Sequence, residues 1–320
     1  PMPNRFRSPS EAVVICTRNR PRELEETLRS VAAQSGAEDR LVLVVDGSDT
    51  EDANATARVV ESTADELPVR YLRYSDPPAG TRQRNMGVDH LPQSVEIAHF
   101  IDDDVALQAD YFCTLSEALT QHPELLGVGG VIVDSKTATP SFPNTTAAHI
   151  LFLLRTDTPS RVLPSGQTTP AWPISDQVLQ PAEWLSTCAS SYRREVFEHH
   201  RFDPSIEGPS PRLEDLDFSY RVAQDGPLAV ASGARCVHRT ASTNRHAPEE
   251  ASHMRVVRRY WFVEKNLGSA LNRISFWWSM LGKFFALLVS TTPDRDEALR
   301  GFLRGVRTVL HGDHDLLRSG

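Results

Sequence analysis

Residues 12–28 read AVVICTRNRPRELEETL. Its first six residues are apolar or β-branched almost without a break, the pattern of a strand buried on both faces of a parallel sheet. Pro21 then stands where a first helical turn tolerates proline, and Leu24, Leu28 and Val31 follow at i, i+4 and i+7 as one buried helix face. The segment therefore predicts a buried strand followed directly by a helix.

The same alternation continues outward. LVLVVD (41–46) predicts a second buried strand, residues 52–67 a helix, and VRYLRY (69–74) a third strand, together a doubly wound βαβαβ unit. SDPPAGTRQRNMGVDHL gives a turn and a short helix, and IAHFID (97–102) a fourth strand that runs into three aspartates. Residues 110–122 read as helix and LGVGGVIV (126–133) as strand. Residues 134–181 are rich in Pro, Thr and Ser and lack periodicity, which predicts a long mobile loop of the kind that serves as a lid. Regular signals return in EWLSTCASSYRREVF, in a helix opening at RLEDLDFSYRV, and in LAVAS and ARCVH as a pair of strands. From residue 247 the chain reads as helical. The expected division is a tail over 1–11, a first half over 12–130, a second half over 131–245 that carries the loop, and a helical region over 246–320.

The chain has 320 residues, 40% of them hydrophobic and 24% charged, enough to bury a sizeable core. Its formal charge of −8 lacks the basic field that a phosphate backbone demands, so no nucleic-acid partner is expected. Cys16, Cys113, Cys188 and Cys236 are far apart and form no CxxC pair, and the first residues carry no secretion-type apolar run. A cytoplasmic location is expected. ISFWWSMLGKFFALLV (274–289) is 16 residues long, short of the roughly 20 that span a bilayer, and Lys283 interrupts it. It reads as a helix packed on the domain, as a homodimer contact, or as an interfacial helix at the inner face of the membrane, where Arg255, Arg258, Arg259 and Arg273 would assist.

Several residues point to chemistry. Asp102, Asp103 and Asp104 stand at the carboxyl end of a strand, where open α/β sheets bind ligands. Adjacent carboxylates repel, and Mg2+ or Mn2+, which take hard oxygen donors and substrate phosphates, would relieve that repulsion. Asp46 ends the second strand in VVDGSDT and suits either a nucleoside hydrogen bond or a turn. Arg82 and Arg84, in GTRQRNMG, place two guanidinium groups at a helix start, which suits a diphosphate. Glu214 and Asp215, adjacent on a helix, face about 100° apart, so one can enter a cleft as a general base while the other takes a different partner. His238, after ARCVH, suits a metal or a phosphate.

In their order along residues 12–240, the segments VVICTRNR, VVDGSDT, GTRQRNMG, FIDDDV, WLSTCASSYRREVF, RLEDLDFSYRV and VH resemble the inverting, GT-A-fold, nucleotide-sugar glycosyltransferases of family 2. The resemblance implies an α/β fold with a Rossmann-like, mostly parallel twisted sheet flanked by helices, extended here by the C-terminal helices. It implies that Thr17, Arg18, Asn19, Asp46, Arg84, Asn85, Asp102 and Asp103 bind the nucleotide, that Asp104 and His238 hold Mn2+ or Mg2+, and that Trp184 walls the acceptor side. Asp215 would be the general base, with Glu214 as its substitute. Residues 12–130 would then bind a nucleotide-diphosphate sugar donor and residues 131–245 the acceptor, which is a glycan, a lipid-linked sugar or a small natural product.

Rival readings fit less well. A nucleotidylyltransferase or a Rossmann dehydrogenase carries a glycine-rich loop after the first strand, where this chain has RNRPRE. A haloacid-dehalogenase-like phosphatase needs an aspartate where Thr17 and Arg18 stand. A non-catalytic sugar-nucleotide-binding module would need Asp46 and Arg84 but not the full set of Asp102, Asp104 and Asp215.

Overall fold

The computed structural model describes residues 10–77, 79–133, 146–170, 178–206, 213–239 and 247–318. The opening segment folds as its pattern predicts. Strand β1 (Ser10–Thr17) has Ala12, Val13, Val14 and Ile15 essentially inaccessible to solvent, and α1 (Pro21–Ala32) buries Leu24, Leu28 and Val31. Strand β2 (Arg40–Asp46), helix α2 (Thr50–Thr63), strand β3 (Val69–Arg73), helix α3 (Gly80–Asp89) and strand β4 (Val95–Asp102) follow in the expected order. β3, β2, β1 and β4 lie side by side and parallel.

Register then sets the site. β1 pairs Thr17 with Asp46 on one side and Cys16 with Asp102 on the other, so all of these residues reach the same carboxyl edge. Beyond β4 come β5 (Val105–Leu107), α4 (Tyr111–Gln121), β6 (Gly127–Val133), α5 (Ala147–Leu151), β7 (Leu179–Ala182), β8 (Ala189–Arg193), α6 (Val196–His199), α7 (Glu214–Asp225) and β9 (Leu228–His238). The sheet order is β3-β2-β1-β4-β8-β6-β9-β5, with β7 also on β9. β8, β5 and β7 run antiparallel to their partners, so the second half of the sheet is mixed. The ladder between β5 and β9 sets Val105 opposite His238, which brings His238 beside Asp104. Two apolar cores cover the two faces, one centred on α1 and α4, the other on Phe100, Tyr192, Phe202 and Phe218.

Two expectations need correction. LAVAS and ARCVH form one 11-residue strand, not two, because Gly233 interrupts the apolar run without turning the backbone. The mismatch is taken up by a register shift opposite Gly129 and Val131. The stretch expected to lack regular structure contains some where it is described: α5, a bridge between Val162 and Thr168, and β7. Its local polar side chains satisfy the backbone instead of an apolar period, so periodicity did not reveal them. Residues 134–145 and 171–177 of that expected loop lie outside the described residues, as does nearly all of the expected tail.

The C-terminal region is helical, as expected: α8 (Pro248–Phe262), a π-helical turn (Val263–Leu267), α9 (Ala270–Val289), α10 (Arg295–His311) and α11 (Asp315–Arg318). They share a third apolar core with Leu216 of α7. α9 buries Phe276, Ser279, Met280 and Gly282 and turns Leu271, Ile274, Trp278 and Phe285 outward. Among the described residues no helix is long and apolar enough to cross a membrane.

Candidate active site

The three consecutive aspartates diverge. Asp102, at the end of β4, keeps 32% of its side chain exposed and lies 3.3 Å from the Arg84 guanidinium. Asp103 turns inward, where it accepts from the Thr17 hydroxyl at 2.7 Å and from Arg20 at 3.0 Å. Burial raises the Asp103 carboxyl to about 7, against the pull of Arg20. Asp104 is buried, with Arg20 at 3.6 Å and His238 Nε2 at 2.9 Å. That contact, with Asp102 nearby, raises the imidazole pKa.

Asp102, Asp104 and His238 each offer one ligand atom, and the three atoms lie within 4.8 Å of one another. Two hard carboxylate oxygens and one imidazole nitrogen form a donor set that fits Mn2+, and fits Mg2+ through the carboxylates. Beside them Arg84, 8% exposed, bridges Asp102 and Glu214, with Glu214 Oε1 at 3.2 Å. Burial alone would lower the Arg84 pKa, but Glu214 and Asp102 hold it well above its ordinary value. Glu214 is pushed up to about 8 by burial and by the neighbouring Asp215, although Arg84 opposes this. Burial also raises Asp215. Asp215 Oδ1 accepts from the Leu216 N–H at 2.7 Å.

Other residues expected at the nucleotide are placed differently. Asp46 is fully buried: one oxygen accepts from the Ser48 N–H and the other from the Tyr71 hydroxyl, so it shapes the loop from beneath. Asn85 is turned away from the cleft, because its amide exchanges two hydrogen bonds with the Phe202 backbone and ties α3 to that segment. The Thr17 hydroxyl is spent on Asp103. Asn19 adopts φ 56° and clamps this loop to the next through Ser48 and Asp49. Arg18 sits half-buried at the same edge, its Nε without a partner among the described residues. Trp184 is half-buried and donates its indole N–H to Thr169 O at 2.9 Å.

A family model described as glycosyltransferase-like family 2 matches residues 9–255. The chain belongs to that family. The fold is accordingly the α/β GT-A fold, and solved structures agree. The mannosyltransferase PcManGT from Pyrobaculum calidifontis, in complex with GDP-Man and Mn2+, is similar at TM-score 0.54 and 16% identity, over 99% of this chain and 84% of its own. TarS 1–349 of S. aureus in complex with UDP-GlcNAc is similar at TM-score 0.56 and 13% identity, over 93% of this chain and 81% of its own. A further structure of TarS 1–349 gives TM-score 0.55 and 14% identity, over 95% and 82%. No curated protein matches the chain by sequence.

Within this family 2 chain, sequence reading passed over residues that build the site without facing it. Arg20 pairs with both Asp103 and Asp104. The Thr27 hydroxyl donates to the Asp103 and Val105 carbonyls, and the Gln83 amide to the Thr17 and Val45 carbonyls. Arg20 was visible as the second cation in TRNR, but nothing in the sequence says that it folds back over the aspartates. Thr27 and Gln83 carry no signal at all, since each looks like an ordinary polar helix position.

Proposed function

We propose that the chain is an inverting, metal-assisted hexosyl- or deoxyhexosyltransferase that moves a sugar from a nucleotide-diphosphate donor to an acceptor hydroxyl. The convergence of Asp102, Asp104 and His238 beside the Arg84–Glu214–Asp215 group carries this reading. The nucleoside would rest on the loop edge of Arg18 and Asn19, which Thr17, Asp46 and Asp103 support from below. Asp102, Asp104 and His238 would hold Mn2+ or Mg2+, which supplies positive charge against the leaving diphosphate.

Arg84 holds a fixed positive charge at the same place, pre-organised by Asp102 and Glu214. Because Glu214 is paired with Arg84, the Asp215 carboxylate is the group that would accept the acceptor's hydroxyl proton. The acceptor oxygen then forms its bond to the anomeric carbon from the face opposite the diphosphate, and the diphosphate leaves with the electron pair of the broken C–O bond. A single displacement of this kind inverts the anomeric centre. Acceptors that match are a glycan, a lipid-linked sugar or a small natural product. The four cysteines are free thiols, which fits a reducing, cytoplasmic setting, and the outward apolar face of α9 fits peripheral contact or a second copy.

A thermal-shift panel of UDP-, GDP- and dTDP-sugars, with and without Mn2+, tests the donor claim. Stabilisation by one sugar nucleotide that depends on Mn2+ is expected. A flat response across the panel would refute it. The anomeric configuration of the product, read by NMR, tests inversion.

A further inference from the structure

We infer that the cavity between α8, α9 and α10 is a binding site for a phosphate-type anion carried by the acceptor. The cavity encloses about 190 Å³. Arg255 and Lys283 line it from α8 and α9, Gln167 reaches it from the Val162–Thr168 turn, and Ser252 and Ser290 add hydroxyls. No carboxylate stands among its described lining residues.

The charge arrangement is unusual for a chain of net charge −8 that has only three lysines. Lys283 is half-buried and has no hydrogen-bond or ion-pair partner among the described residues. Burial, and then the like charges of Arg255, Arg259 and Arg155, lower its pKa to about 8. Arg259, one helical turn beyond Arg255, is buried, donates to the Gly166 carbonyl and leaves its Nε without a partner. Like charges gathered in a partly dry place repel one another, and a bound anion relieves that repulsion. Guanidinium and ammonium donors with hydroxyls and an amide between them are a set that binds phosphate oxygens.

Arg259 of α8 ties this region to the proposed base. Arg259 lies within reach of the Asp215 charge, and the turn that it grips also carries Thr169, the partner of Trp184. On this proposal, the anionic group of an acceptor whose hydroxyl meets Asp215 would occupy this cavity. That assignment to the acceptor rests on the glycosyltransferase reading, whereas the anion site itself does not. The outward apolar stripe of α9 leaves two sources for the anion, a lipid headgroup or a water-soluble phosphate.

Inorganic pyrophosphate, titrated calorimetrically into the full chain without divalent cations, is the probe. Lys283→Met keeps the aliphatic stem and removes the charge, so it should melt no lower than wild type while its pyrophosphate affinity falls tenfold or more. Arg255→Met should lose affinity in the same way and serves if the first variant does not fold. Asp104→Asn should bind pyrophosphate as wild type does. If wild type bound pyrophosphate but gave no Mn2+-dependent response to any sugar nucleotide, the donor reading would fail and the anion site would stand. Pelleting with phosphatidylcholine vesicles only when they contain phosphatidic acid, lost in Lys283→Met, would assign a lipid-borne anion. Pyrophosphate binding without pelleting would assign a soluble acceptor. No pyrophosphate binding by wild type, or undiminished binding by both variants, overturns the inference.

Discussion

Three chemically identical carboxylates take three environments because the backbone leaves β4 at Asp102 and turns: Asp102 faces the cleft, Asp103 the β1 loop, and Asp104 the end of β9. Asp104→Asn removes one donor from the proposed metal set, and should weaken Mn2+-dependent donor binding by tenfold or more, about 1.4 kcal/mol, by calorimetry. Asp215→Asn should leave donor affinity intact and lower transfer by about 10²-fold or more. Loss of transfer in Glu214→Gln but not in Asp215→Asn would move the role to Glu214. The pair also sets a pH response. Glu214 rises from its ordinary 4.5 to about 8, so across that window the folded chain retains a proton that the unfolded chain has released. Stability therefore falls as pH rises through the window, and Glu214→Gln should flatten the decline in Tm. Curves of equal slope for the two proteins would contradict the shift. At this scale the sequence was informative about which residue types gather and silent about which way each faces. Asp46 and Asn85 have the right identity and position for a nucleotide, yet the Ser48 N–H, the Tyr71 hydroxyl and the Phe202 backbone claim their polar atoms.

Among the elements, those whose burial is periodic were legible. β1, β2 and β4 are continuous apolar runs because both faces are covered, and α1 declares itself through Leu24, Leu28 and Val31. The single long β9 and the short α5 were not, since one contains a glycine in extended backbone and the other is set by a Thr146–His149 capping box instead of an apolar face. Close packing adds a constraint that no pattern shows. A Cβ at Gly87 would strike the Val14 side chain, and one at Gly301 would strike the Glu249 backbone carbonyl. The second contact matters more, because backbone cannot swing aside. Gly301→Ala should therefore push α10 off α8 and cost about 1–3 kcal/mol, seen as a lower urea midpoint with an unchanged donor site. An unaltered midpoint would show that the two helices separate freely.

Across the whole molecule, the proposed donor site lies on β1, α3 and β4, the proposed base on α7, and the proposed acceptor wall at Trp184, whose indole rests on the described residues 160–170 through Thr169. The Pro-, Thr- and Ser-rich composition of this last stretch suggested a lid that orders over bound donor. Its described part is instead built into the body. The amides of Ser160, Leu163, Gly166 and Thr169 donate to carbonyls within the stretch. Ser160, Ser165 and Thr169 are buried, and Arg259 holds the Gly166 carbonyl from α8. Polar residues satisfied internally in this way can take regular structure without an apolar period, which composition alone does not reveal. Hydrogen exchange separates the two descriptions, since protection reports how often an amide opens. The amides of Ser160, Leu163, Gly166 and Thr169 should be protected in the free protein and change little when a sugar nucleotide and Mn2+ are added. Fast exchange in the free protein that slows on binding would restore the lid for this stretch, and would make the acceptor wall a product of donor binding instead of a fixed surface.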